Sequence, residues 1–214
     1  MRQQKGKNIL IYFFLFLIVC SVNNTVLTGV KLENIKNIQI SGLNKNQNIN
    51  LLKNIEKLNL KNIFFLSGNE ISRLISSNSL VENYEIIKKY PSSLEIKIKK
   101  TNFLAKINKN GKMFLIGSNG KLSDTKFSNE ELPFIFGKPE IDEFIKFTKI
   151  IEKSNFSLSE IKNLYFFPSK RWDLELKNNI ILKLSMDHAR LSLDQAFEVL
   201  NDTNFDDIKV VDAR

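Results

Sequence analysis

The chain is 214 residues long and 43% hydrophobic, and it carries 32 Lys and Arg against 23 Asp and Glu, a formal charge of +9. Five of the basic residues are arginine (Arg2, Arg73, Arg171, Arg190 and Arg214), and lysine lacks the planar fork that reads bases and phosphates bidentately, so nucleic-acid binding is excluded as a working class. A single cysteine, Cys20, excludes an intrachain disulfide and a cysteine-based zinc site, and a single histidine, His188, excludes a histidine cluster.

Met1–Asn8 holds Arg2, Lys5 and Lys7 with no acid, then leads into one apolar run, Ile9–Val22, reading ILIYFFLFLIVCSV. As a helix those residues cover about 21 Å, short of the ~30 Å hydrocarbon core, whereas Asn8 to Leu27 reaches it. A basic start followed by a short apolar stretch also describes a cleavable secretory signal. No A-x-A site is present, since the first alanine is Ala105, and Val19-Cys20-Ser21 substitutes for it poorly. Bulky Val19 also counts against lipid attachment at Cys20. The run is therefore expected to be a retained signal-anchor: 1–8 a cytoplasmic tail, 9–27 a transmembrane helix and the body outside.

The body opens with Val30–Leu43, in which Ile38-Gln39-Ile40 alternates and turns at Ser41-Gly42, a short strand. Leu51, Leu52, Ile55 and Leu58 fall at helical spacing within Ile49–Leu58. Ser67-Gly68-Asn69-Glu70 has the capping-box pattern and predicts a short helix with Ile71, Leu74 and Ile75 on one side. Val81–Lys88 and Leu94–Lys99 read as strands around Tyr90-Pro91-Ser92-Ser93. The second alternates Leu94, Ile96 and Ile98 against Glu95, Lys97 and Lys99, which predicts one buried and one wet face. The order is β-α-α-β-β.

From Thr101 the pattern changes to hairpins. Asn110-Gly111 and Asn119-Gly120 are tight-turn signals on either side of Lys112–Ile116. Leu132–Phe136 is a short strand, and Ile141–Ile151 an amphipathic helix with Ile141, Phe144, Ile145, Thr148 and Ile151 inward. Ile161–Phe167 and Arg171–Lys177 follow as strands, the second with Trp172, Leu174 and Leu176 on one face and Asp173, Glu175 and Lys177 on the other. Asn178-Asn179 turns into Ile180–Leu184. Leu193, Ala196, Phe197 and Leu200 mark a helix, and Ile208–Arg214 a last strand.

Chemistry is sparse. His188 reads as a surface or capping residue at a helix start. Glu130-Glu131 and Asp206-Asp207 are sequence neighbours that point apart, not acid/base pairs. Gly117-Ser118-Asn119-Gly120 resembles a glycine loop but opens no helix, so phosphate cradling lacks its basis. Arg171-Trp172 reads as a surface cation beside a core indole. No catalytic residue, metal ligand or cofactor is expected.

The first module has the order of a POTRA domain. Lys170-Arg171-Trp172-Asp173-Leu174-Glu175-Leu176-Lys177-Asn178-Asn179-Ile180 resembles the "RRWDLxLxNG" hairpin of the FtsQ/DivIB cell-division proteins, especially those of alphaproteobacteria. Ile38–Gly42 resembles the family's "I-x-V-x-G", Tyr90–Ile96 its "P-x-T-L-x-I" turn and strand and Gly111–Leu122 its "G-x-x-x-L-I-D-x-x-G". Leu132-Pro133 with Gly137 resembles "LP-x-x-x-G", and Val211–Arg214 the terminal "I-D-L-R". The ordered set covers almost the whole chain. Asn179 stands where the family has glycine, Gly117 where it has aspartate and Ala213 where it has leucine. Many relatives continue past the position of Arg214, so a shorter terminal contact is expected here.

The resemblance implies an α+β fold: a transmembrane helix, a POTRA domain over 28–100, and a mixed β-sheet domain with flanking helices over 101–214. It implies a bitopic, single-pass type II scaffold of the cell inner membrane, body periplasmic, acting at the division septum with FtsB and FtsL. It places the partner-binding strand at Ile208, Lys209, Val210, Val211, Asp212, Ala213 and Arg214. Two other classes stay open at this stage. A POTRA-containing secretion or outer-membrane assembly component would call for tandem repeats or a barrel, and a wall enzyme for a convergent polar site.

Overall fold

The computed structural model describes residues 2–21, 34–58, 60, 62–128, 131–202 and 208–214. Parts of the sequence expectations fall outside these: 22–27 of the anchor, 30–33 of the opening stretch, Glu130, Asp206 and Asp207.

Helix α1 runs Arg2–Ser21. Its apolar side chains find no core, with exposures from 46% at Leu17 to 72% at Val19. Among the described residues no helix is long and apolar enough to cross a membrane.

The first sheet joins β1 (Asn37–Ser41), β2 (Val81–Lys89) and β3 (Ser93–Lys100) in the order β1-β3-β2. Strand β1 runs parallel to β3, with Ile38 opposite Leu94 and Ile40 opposite Ile96, and β2 runs antiparallel to β3. Helices α2 (Lys45–Glu56) and α3 (Gly68–Ser77) cover one face. There Leu51, Ile55, Ile71 and Ile75 meet Leu94, Ile96 and Ile98, all buried. Each such side chain contributes roughly 1.5–3 kcal/mol when fully buried. The alternation expected of Leu94–Lys99 is observed.

One helix start differs from expectation, and one cap does. Helix α2 begins four residues before Ile49, because Gln47 Oε1 accepts the Asn44 backbone N–H at 3.2 Å and closes the first turn. Helix α3 begins after Ser67 as expected, but the Ser67 side chain makes no capping hydrogen bond. Glu70 in the first turn still favours the positive end of the helix dipole.

The second sheet contains β4 (Phe103–Lys109), β5 (Lys112–Gly117), β6 (Leu122–Asp124), β7 (Phe134–Phe136), β8 (Ile161–Phe166), β9 (Trp172–Leu176), β10 (Ile181–Leu184) and β11 (Val210–Ala213). Their order is β11-β10-β9-β8-β7-β4-β5-β6. Pairs β4–β7, β7–β8 and β10–β11 are parallel and the others antiparallel, so the sheet is mixed. The β4–β5 hairpin closes through Asn110 and Gly111 at φ +55° and +79°, as the Asn-Gly signal demands. Asn179 occupies the β9–β10 turn at φ +65°, so asparagine does there what glycine does elsewhere.

Helices α4 (Ile141–Ile151) and α5 (Ala189–Asn201) cover one face. Phe144, Phe147, Ile151, Leu193 and Ala196 pack with Ile107, Ile135, Leu164, Trp172, Leu174 and Leu182. Trp172 stacks on Phe147 with ring centroids 4.7 Å apart and 4° between planes. Phe103 and Leu115, at the start of this sheet, belong to the core of the first. The two modules therefore share apolar packing across their junction.

Candidate functional site

All seven residues expected at the terminal strand lie along one edge of the second sheet, although β11 itself spans only Val210–Ala213. Among the described strands, β11 has a neighbour on one side only. It runs parallel to β10, with Ile181 opposite Val210 and Leu184 opposite Ala213. Lys209 leads in, its carbonyl accepting from the Ile181 N–H at 3.0 Å. Because Lys209 faces β10, alternation turns the backbone N–H and C=O of Val210 and Asp212 away from it, into the edge.

This edge is held from behind. Val211 is buried in the second core and Ile208 packs against it. Ser192 of α5, 2% exposed, donates its hydroxyl to the Ala213 carbonyl and accepts from the Ser185 N–H at 3.0 Å. Beyond the strand, Arg214 pairs with Asp212, its Nε donating to Oδ1 at 2.7 Å. The guanidinium holds the Asp212 carboxyl down to about 2. Among the described residues, the outward backbone groups of Val210 and Asp212 have no strand partner, and an ion pair stands at the end of the strip.

The hairpin that opens with Arg171 forms the middle of the same sheet. Trp172, Leu174 and Leu176 are buried on the helix-covered face, as the alternation predicted. The opposite face, which carries Asp173 and Glu175, is itself largely covered. Asp173 is only 5% exposed, because Arg171 folds over it with Nε donating to Oδ1 at 3.1 Å. The same guanidinium lies 4.4 Å from the Phe167 ring centroid, so Arg171 is half-buried rather than a free surface cation. Glu175 accepts from Asn163 Nδ2 at 2.8 Å, Lys162 Nζ at 2.8 Å and the Tyr165 hydroxyl at 2.7 Å. These donors, Asn163 foremost, lower its carboxyl from 4.5 to about 2.

Sequence reasoning missed a second polar centre, at the seam between the modules. The loop Gly117–Gly120 cradles no phosphate but locks β5 to the first sheet. Asn119 Nδ2 donates to the carbonyls of Ser79 and Val81, both at 2.9 Å. Glu82 Oε2 accepts from Ser118 Oγ at 2.7 Å and from Thr101 Oγ1 at 2.9 Å. Lys121 Nζ donates to the Ser76 carbonyl. The only sequence signal was a cluster of small polar residues at a turn, and it does not say what they bond.

His188 sits at the start of α5 without a side-chain capping bond. Glu131 is exposed. Among the described residues no group of His, Cys, Asp and Glu is placed to hold a metal ion.

A βααββ module feeding a larger mixed sheet whose terminal strand lies at its edge defines a two-module α+β protein. The family model described as "POTRA domain, FtsQ-type" matches residues 33–100, and "Cell division protein FtsQ/DivIB, C-terminal" matches 96–214. The chain belongs to the FtsQ/DivIB family of cell division proteins. It is 28% identical to the cell division protein DivIB of Clostridium tetani over 69% of this chain and 60% of that one. It is 25% identical to the cell division protein FtsQ of Rhizobium meliloti, over 70% and 49%. With DivIB of Clostridium botulinum the identity is 30%, over 58% and 48%. The chain spans about half to three fifths of the length of these relatives.

Proposed function

We propose that this chain is a bitopic scaffold of the division machinery, without catalysis of its own, that captures FtsB at its terminal β-strand and works with FtsB and FtsL in septum assembly. Residues 1–8 form the cytoplasmic tail, 9–27 the retained inner-membrane anchor, 28–100 the POTRA domain and 101–214 the β domain, with the body periplasmic. Support for the anchor comes from the basic start of the chain and from the exposed apolar side chains of α1.

The observation that carries the binding role is the one-sided pairing of β11. An unpaired edge supplies backbone donors and acceptors for a partner's strand, the physics of β-augmentation. Ile208, Lys209, Val210, Val211, Asp212, Ala213 and Arg214 form that edge. Asp212 and Arg214 are the residues of that edge that match the family's terminal motif.

Val210→Pro tests this, because it deletes a donor that faces outward and leaves the bonds to β10 intact. The expected result is loss of FtsB capture by a folded protein, and removal of 208–214 should do the same. Undiminished capture by both variants overturns the proposal. A fluorescent fusion in dividing cells should give a mid-cell band rather than a uniform rim.

A further inference from the structure

We propose that Phe64, Phe65 and Tyr90 form an aromatic foot that seats the first module in the headgroup boundary of the bilayer holding α1. This rests on the reading of α1 as a retained anchor.

Three segments converge at one end of the module. Asn34 forms an isolated antiparallel bridge with Asn62. The Lys36 N–H donates to the Ser92 carbonyl at 2.9 Å. Asn62 Oδ1 accepts from the Phe64 N–H at 2.8 Å, and the Phe64 ring lies 4.9 Å from that of Tyr90. The chain arriving from α1 therefore enters the module beside these rings. Thirteen residue steps separate Ser21 from Asn34, so Asn34, where the chain enters beside the foot, lies within about 45 Å of Ser21 even at full extension.

The rings are turned outward on a pinned loop. Phe64, Phe65 and Tyr90 are 53%, 80% and 60% exposed, while Ile63, the residue before Phe64, is fully buried. Single exposed apolar residues need no explanation, but a contiguous aromatic cluster marks a contact surface. Lys88, two residues before Tyr90, donates Nζ to the Leu66 carbonyl at 3.1 Å, which places an ammonium on the loop that carries Phe64 and Phe65. Aromatic rings flanked by lysine suit a membrane interface, where rings lie among the headgroups and cations face lipid phosphate. A soluble partner would need another argument to explain why the cluster sits where the tether enters.

The test uses the full chain carrying Phe65→Trp, reconstituted into vesicles of phosphatidylethanolamine and phosphatidylglycerol with acyl chains brominated near the headgroup. Trp172 is the chain's own tryptophan and is buried in the second core, so the unaltered chain supplies the baseline. Flotation with the vesicles reports the anchor separately. The expected result is a floating chain whose added tryptophan emits to the blue and is quenched by brominated lipid, while Trp172 is not. A floating chain with an unquenched, water-like residue 65 overturns the foot and leaves the anchor standing. A blue shift that appears only at high protein density and ignores brominated lipid assigns the surface to a second copy and also overturns the foot. A chain that does not float overturns both.

Discussion

The side-chain amide of Asn119 donates to the carbonyl oxygen of Val81 at 2.9 Å, across the seam between the two sheets. With the matching bond to Ser79, one side chain ties the β5–β6 turn to the entry of β2. Asn119→Ala leaves both partly buried carbonyls without this donor. A buried polar group left unpaired costs about 1–3 kcal/mol. The expected outcome is a loss of that size in urea unfolding, with the first module's amides exchanging faster than those of the second.

Gly117 faces the same seam, at the position where the family pattern has aspartate. A Cβ there would lie 2.7 Å from both Thr101 Oγ1 and Asn119 Oδ1. The hydroxyl and amide of this chain's seam occupy the space that an aspartate needs. Gly117→Asp also adds a carboxylate next to Glu82, which already accepts from Ser118 and Thr101. Overpacking of this kind costs about 1–3 kcal/mol. A denaturation midpoint equal to the parent's would show that the seam rearranges freely.

Local rules made much of the architecture readable. The period-two pattern at Leu94, Ile96 and Ile98 identified a half-buried strand, and the Asn-Gly and Asn-Asn turns placed both hairpins. A last strand was expected over Ile208–Arg214 and forms over Val210–Ala213, where Val211 turns into the core. Gly137, matched only as a family letter, has a physical reason in the structure: φ is +99° and a Cβ would lie 2.2 Å from the Phe166 carbonyl oxygen. What stayed hidden depends on partners distant in sequence or on neighbours that fold over a face. Alternation assigned Asp173 to the face opposite Trp172 but could not show that Arg171 closes over it and buries it. The seam was hidden because Asn119 bonds residues some forty positions away. The eight-strand order depends on the parallel crossovers β4–β7 and β7–β8, which no local signal encodes.

Ser192 joins α5 to the last residue of β11. Ser192→Ala removes the donor to the Ala213 carbonyl and the acceptor for the Ser185 N–H together. The expected loss is about 1–3 kcal/mol if both groups stay dry. The effect should be local, with amide exchange rising in 210–213 while the β8–β9 amides stay protected. Should the terminal strand capture a partner, this variant binds more weakly without losing its fold, since β11 pays more to be ordered.

Glu175 provides a pH-dependent contribution with a defined sign. Asn163, Lys162 and Tyr165 lower its carboxyl from 4.5 to about 2 on folding. A carboxyl whose pKa falls on folding adds stability above its unfolded value and loses it as pH drops through the folded one. The contribution is therefore complete above pH 4.5 and gone near pH 2. Glu175→Gln removes the charge and keeps the shape, and hydrogen bonds to a charged group are worth about 1.5–3 kcal/mol. The parent should exceed the variant by about that amount at neutral pH. The gap should close between pH 4.5 and about 2, measured as the difference in urea midpoints. A gap that stays constant across the window would mean that the loss comes from packing, with Asn163 and Tyr165 sensing the amide's shape and not the carboxylate's charge.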